Sequence, residues 1–430
     1  MKLLIHLLFQ YYPLHEEKSD GTETISNENK KLYYHLIRTE QSEDVLVGEF
    51  TEQPKWRLGG VVSDCGKILH VTVREGCQDN LWYYAKLGDK ITGRLDLTPV
   101  ITKYEAEYHY ITNDGDVVYV RTNKGTPNYR VIKVDLSKPE PENWVDLVPE
   151  NENDVLDWAY CVNKDVLVVC YIRDVVNVVE LRNLASGELI RNLQFPIGTI
   201  TSFTGKRKQS EIFYYLTSFL TPGVIYHYDF AKNEEPKVFR EIKLNGFDTD
   251  EFTTEQIFYE SKDGTKIPMF IVRAKDIQLD GNNPCLLYGY GGFNISIQPS
   301  FSVSRLLFMK NLRGVFALAN IRGGGEYGEK WHDGGRLLNK QNVFNDFIAA
   351  GEYLIDNKYT SQPKLIIQGG SNGGLLVGAC CNQRPDLFGV GLAHVGVMDM
   401  LRFHKFTIGY AWCSDYGNPD EEKHFSNLVK

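Results

Sequence analysis

An array of small antiparallel sheets of β-propeller type, followed by an α/β domain, is the fold this sequence predicts, and three observations predict it. Polar turns between aromatic or β-branched runs recur about every 50 residues through the first half. The second half instead alternates short apolar runs with stretches of helical periodicity. With 430 residues and 42% hydrophobic composition, the chain has material for two cores rather than one.

The propeller-type half is assigned to residues 1–244. Its runs, such as Tyr33-Tyr34-His35-Leu36-Ile37, Val45-Leu46-Val47, Leu81-Trp82-Tyr83-Tyr84 and Val166-Leu167-Val168-Val169, have strand-forming composition. VVSDCGKILHVTV (62–74), YITNDGDVVYVRT (110–122) and AYCVNKDVLVVCYI (159–172) each set a polar turn between two strands. TSFTGKRKQSEIFYYL (201–216) does so with a longer turn. Four short strands per period make a blade, which buries its faces only against its neighbours. A plain β-sandwich is the competing reading, and the period favours the propeller.

Residues 245–430 form the α/β half. Glu255-Gln256-Ile257-Phe258-Tyr259 leads through Asp263-Gly264 into Ile267-Pro268-Met269-Phe270-Ile271-Val272, a hairpin. Buried strands are then expected at Cys285–Tyr288, 314–319, Leu365–Ile367 and 390–393, with helices over 342–356 and 373–382. Apolar strands joined by helices build a mostly parallel sheet.

Composition excludes several function classes. The net charge of −9 and the shortness of basic clusters such as Lys206-Arg207-Lys208 argue against nucleic acid. Eight cysteines without a CxxC or a zinc-like spacing fit reduced thiols in a cytoplasmic protein, most of them buried. The opening MKLLIHLLFQYYP is broken by His6 and lacks a small-residue cleavage site, so it does not read as a signal peptide. No stretch approaches the roughly 20 apolar residues of a membrane span.

The chemistry centres on Gly369-Gly370-Ser371-Asn372-Gly373, a G-x-S-x-G match with an apolar strand before it and a helix after it. In that context the serine sits on a sharp, strained turn that exposes its hydroxyl, and side chains at 369 or 373 would collide with the neighbouring strand and helix. The backbone N–H of Asn372 is then the first donor to an oxyanion. The loop Gly289-Tyr290-Gly291-Gly292-Phe293, after an earlier strand, is the place for a second. The same loop lacks the third glycine of a dinucleotide fingerprint, because Asn294 stands there.

LYGYGGFN (287–294), NIRGGGEYG (320–328) and GGSNGGLLV (369–377), in this order behind a propeller-like half, resemble the prolyl oligopeptidase family of serine peptidases with an α/β-hydrolase fold. The resemblance runs from about residue 11 to residue 430. It implies cleavage of short peptides on the carboxyl side of proline, with Ser371 as nucleophile and the Tyr290 hydroxyl and Asn372 N–H as oxyanion hole. It further implies that Trp412 stacks on the substrate proline, within walls supplied by Phe293, Val397, Ile408 and Tyr416. A flat, apolar indole suits a ring that carries no N–H; the competing reading of Trp412 is a core residue. No metal or organic cofactor is implied, nor a nucleic-acid or membrane partner, and a monomer is expected.

The triad acid and histidine of this fold follow the serine on later loops. After Ser371 the sequence offers Asp386, Asp399, Asp415 and Asp420 with His394, His404 and His424, and none aligns with the family's acid or base. The N-terminus likewise enters at about the third blade, giving about five of seven blades and a hydrolase domain short of its last strands. The sequence is therefore expected to be a fragment of a longer protein, weakly active or inactive by itself. A non-catalytic isoform that binds partners or peptides through the propeller is the alternative.

Overall fold

The computed structural model describes residues 6–13, 24–232 and 234–429. Residues 1–5 of the opening apolar segment lie outside the described residues. Two compact units are present, Met1–Glu150 with Leu401–Lys430, and Asn151–Met400.

In the first unit, three antiparallel sheets follow one another along the chain. His6–Tyr11, Lys31–Leu36 and Val45–Gly48 form a three-stranded sheet. Arg57–Val62, Ile68–Arg74, Leu81–Lys86 and Thr98–Ile101 form the next. Tyr108–Asp114, Val117–Thr122, Arg130–Asp135 and Val145–Val148 form the third. Strands pair in chain order because the links are short turns, as where Gly115 at φ 59° joins Asp114 to Val117. Within this unit, successive sheets share buried apolar side chains. Leu32 and Val47 join Leu58, Leu69 and Val71 in one cluster, while Ile68 and Trp82 join Tyr108, Val118 and Ile132 in another. Sheets that complete their cores only on a neighbour behave as blades.

The second unit adds two more four-stranded sheets of the same kind. They are Val155–Val162, Val166–Arg173, Val176–Asn183, Leu189–Leu193 and Thr199–Gly205, Glu211–Thr217, Val224–Asp229, Lys237–Glu241. Val168, Cys170 and Val179 from one pack with Ile212, Tyr214 and Leu216 from the other. The four segments of the repeat each lie across a strand–turn–strand junction, as their composition predicts.

The same unit holds a six-stranded sheet in the order 252–260, 266–274, 315–319, 285–288, 365–370, 390–394. The first two strands are the expected hairpin, and the last four run parallel to one another. The helix Gln341–Asp356 buries Val343, Phe347, Ala350, Gly351 and Leu354, one face at helical spacing. That face packs with Ile267, Leu287, Ile367, Leu376 and Leu387. At about 1.5–3 kcal/mol per fully buried large apolar side chain, this contact dominates the helix's own propensity.

One expectation fails here. The run 390–393 was expected to be a buried strand; Val390–His394 is a strand, but all five residues are exposed. Among the described residues it pairs only with Leu365–Gly370 and ends the sheet, so apolar composition does not bring burial. The cysteines are also less uniformly buried than expected. All eight are free, with Cys161, Cys170, Cys285 and Cys380 buried and Cys65 exposed.

Candidate active site

Ser371 stands between the strand Leu365–Gly370 and the helix Asn372–Gln383, at φ 56° and ψ −115°. A non-glycine residue in that region costs of order 1–3 kcal/mol, which the surroundings must supply. They do so by clamping both sides of the turn. The Ser371 N–H donates to the His394 carbonyl at 2.9 Å, and the Ser371 carbonyl accepts from Gly374 and Leu375 at 2.9 and 3.2 Å. The residue itself is exposed, so the turn presents its side chain to solvent.

The glycines act as expected. A Cβ on Gly369 would lie 2.3 Å from the Gly373 carbonyl oxygen, and one on Gly373 would lie 2.7 Å from that of Gly289. Gly370 differs, because its nearest neighbour would be 3.8 Å away. The motif thus needs glycine at its two outer positions and tolerates a side chain between the first glycine and the serine.

The loop 289–293 lies directly against Asn372. The Asn372 side-chain amide donates to the Tyr290 carbonyl, and a Cβ on Gly292 would meet that amide nitrogen at 2.6 Å. Gly291, at φ +65°, leaves room for Val343 and Ile321, whose carbons a Cβ would meet at 2.5 and 2.7 Å. Phe293 follows at φ 58° and is half-buried. Sequence reasoning missed one residue of this assembly. Lys340, buried beside the helix Gln341–Asp356, donates from Nζ to the Gly291 carbonyl at 3.0 Å and to Asn372 Oδ1 at 3.1 Å. Nothing in the sequence marks it, since a lysine at a helix start ordinarily reads as solvated.

The segment Asn320–Gly328 is built into the interior beside this loop. Arg322 donates to Asp346 from its backbone N–H at 3.0 Å, from Nε at 3.0 Å and from Nη2 at 2.6 Å, and to Asp263 from Nη1 at 2.6 Å. Asp346 is fully buried and also accepts from the Ser261 hydroxyl at 2.5 Å, so hairpin, glycine loop and helix are tied at one point. Glu326 is buried as well, and burial pushes its pKa up to about 7 despite hydrogen bonds from Ile297 N–H and Asn320.

The histidines that follow Ser371 are engaged elsewhere. His394 Nε2 lies 3.1 Å from Gln368 Nε2, His404 pairs with Asp420 at 3.0 Å, and His424 lies 3.2 Å from Glu421. Among the described residues, none of the three hydrogen-bonds the Ser371 hydroxyl. Of the candidate acids, Asp386 is held by Arg384 and Asp420 pairs with His404.

Of the expected proline-reading residues, Phe293 and half-buried Val397 belong to the unit that carries Ser371. Ile408, Trp412 and Tyr416 belong to the other unit. There Trp412 ends the turn Gly409–Trp412 and stacks on Phe403 at 6.4 Å and 17°, while buried Tyr416 meets the same ring edge-on at 5.3 Å. Tyr410 anchors the segment by donating to the Asn27 and Lys55 carbonyls.

A serine held at positive φ between a parallel strand and the helix it opens, with outer glycines that admit no side chain, has the geometry of the strand–turn–helix elbow of the α/β-hydrolase fold. The chain belongs to the prolyl oligopeptidase family: it matches "Prolyl oligopeptidase, N-terminal beta-propeller domain" over residues 6–240 and "Prolyl oligopeptidase family" over residues 299–430. The five antiparallel sheets are accordingly propeller blades, and the six-stranded sheet belongs to the hydrolase domain. Prolyl oligopeptidase A of Amanita bisporigera is 42% identical over 95% of this chain and 54% of its own length. Prolyl endopeptidase of Elizabethkingia miricola is 39% identical over 98% of this chain and 58% of its own. Among solved structures, prolyl oligopeptidase B from Galerina marginata bound to a 35mer hydrolysis and macrocyclization substrate superposes with a TM-score of 0.93 at 40% identity, covering 99% of this chain and 59% of that one. The chain thus spans little more than half the length of the relatives it matches.

Proposed function

We propose that the protein is a serine endopeptidase of the prolyl oligopeptidase type, cleaving short peptides on the carboxyl side of proline. The observation that carries this reading is Ser371, exposed at φ 56° on a turn whose outer glycines cannot be replaced without collision. In the proposed reaction Ser371 Oγ adds to the scissile carbonyl and its proton passes to a base. The amine then leaves with a proton, and water hydrolyses the acyl-enzyme by the reverse path. The Tyr290 hydroxyl and the Asn372 N–H would hold the oxyanion, and Trp412 would stack on the proline with Phe293, Val397, Ile408 and Tyr416 around it. No cofactor enters, because side chains and water suffice.

The division into domains at 244/245 belongs to the same reading, supported by the change from antiparallel blades to the mixed sheet between Glu241 and Phe252. So do a cytoplasmic location, supported by eight free thiols, and a monomeric state. Among the described residues no helix is long and apolar enough to cross a membrane.

The base is the weak point of the 430 residues by themselves. Loss of the triad histidine from a serine peptidase lowers turnover by about a millionfold, leaving about a thousandfold from oxyanion binding. We therefore assign these residues weak activity or none. A fluorogenic peptide pair differing only in proline or alanine before the cleaved bond tests both parts. Slow, Ser371-dependent turnover that favours proline supports the reading; turnover indifferent to that residue refutes the specificity. Peptide binding with no Ser371-dependent turnover at all would favour the non-catalytic alternative, which the engaged histidines also support.

A further inference from the structure

We infer that Lys340 is a positioning residue for the oxyanion hole, an inference that rests on the reading of Ser371, Tyr290 and Asn372 given above. Lys340 is nearly buried, 6% exposed, where a charge is costly unless its donors are used. It spends two of its three donors on the two segments that must be held in register. One goes to the Gly291 carbonyl at 3.0 Å, the residue after Tyr290. The other goes to Asn372 Oδ1 at 3.1 Å, the residue after Ser371.

Asn372 closes the brace by donating from its side chain to the Tyr290 carbonyl. Loop, ammonium and elbow therefore form a ring in which each member fixes the next. The brace acts on backbone that cannot shift to compensate, because Gly291 is wedged against Val343 and Ile321, and Gly292 lies against the Asn372 amide. Through these two hydrogen bonds Lys340 sets the spacing of the backbone that carries the serine hydroxyl and the expected oxyanion donors. Supporting groups of this kind typically change the rate by 10–100-fold when removed from around a reacting centre.

Lys340→Met tests the assignment on the 430-residue chain, since it keeps the length of the side chain and removes the donors. Two quantities are read: the rate of Ser371 phosphonylation by an uncharged fluorophosphonate against a Ser371→Ala blank, and amide hydrogen exchange across the chain. The expected result is labelling slowed about 10–100-fold, with faster exchange confined to 289–293 and 371–375. In an Asn372→Ala background the same substitution should slow labelling by less than about threefold, because the brace is already open. Should Lys340→Met fail to fold, Lys340→Gln, which keeps an N–H donor on a shorter arm, is read the same way. Unchanged labelling and exchange would overturn the inference while leaving the nucleophile intact. If the parent chain labels no faster than the blank, the nucleophile reading fails instead, and exchange at the two segments still decides for or against the brace.

Discussion

Ser371 and its neighbouring glycines show how little freedom one turn has. Gly369→Ala would force a Cβ to 2.3 Å from the Gly373 carbonyl, whereas Gly370→Ala would meet nothing closer than 3.8 Å. Urea denaturation should find Gly369→Ala destabilised by at least about 1–3 kcal/mol and Gly370→Ala within about 1 kcal/mol of the parent. Equal effects would show that the turn is not the rigid elbow described. Glu326 gives a prediction in pH. Its pKa rises from 4.5 to about 7 on folding, chiefly by burial, so the folded chain holds this proton more tightly than the unfolded one. The native state accordingly loses stability as pH climbs from 4.5 through 7 and levels off above, by a total of about 3 kcal/mol. Glu326→Gln keeps a donor where the acid would be protonated, so it should raise Tm at pH 8 and leave it nearly unchanged at pH 5. A pH-independent shift would contradict that account.

Elements are held by fewer points than their number suggests. Asp346 on the helix Gln341–Asp356 accepts from Arg322 and Ser261, and through Arg322 it reaches Asp263 in the hairpin turn. Removing the buried carboxylate leaves the largely buried Arg322 with only the exposed Asp263, so Asp346→Ala should cost about 3–5 kcal/mol in chemical denaturation. A loss below about 1 kcal/mol would mean that the network is incidental. Much of the element order is legible in the sequence, for definite reasons. Asp263-Gly264 announces a hairpin because Gly264 takes φ +81°, and the face of Val343, Phe347, Ala350 and Leu354 announces a helix by its spacing. The helix Val303–Asn311 is not announced, since it buries only Leu306 and Met309 and its short sequence also contains Ser304, Arg305 and Lys310. Val390–His394 shows the converse limit: composition foretells a strand, but burial depends on a neighbour that no local pattern specifies. Within the site, Ser371, Asn372 and Tyr290 are legible because glycines mark their turns. Lys340 is not, because its role arises only once three distant segments meet.

At the scale of the whole molecule, five blade sheets and a six-stranded mixed sheet carry the family pattern over a length that is 54–58% of relatives such as those of Amanita bisporigera and Elizabethkingia miricola. The propeller repeat is legible because each blade must end in a polar turn and begin in an apolar strand, whatever its exact sequence. The hydrolase elbow is legible because its geometry leaves so few residues to choose from. The site is accordingly uneven: a presented hydroxyl and a loop tied beside it through Asn372 and Lys340, but no histidine on the serine among the described residues. The most direct test of that combination is the rate at which a fluorophosphonate labels the purified 430-residue chain, read by intact mass against Ser371→Ala. The predicted result is slow labelling that stops with the substitution. Labelling as fast as that of a complete serine-hydrolase triad, or labelling that survives Ser371→Ala, would contradict the account.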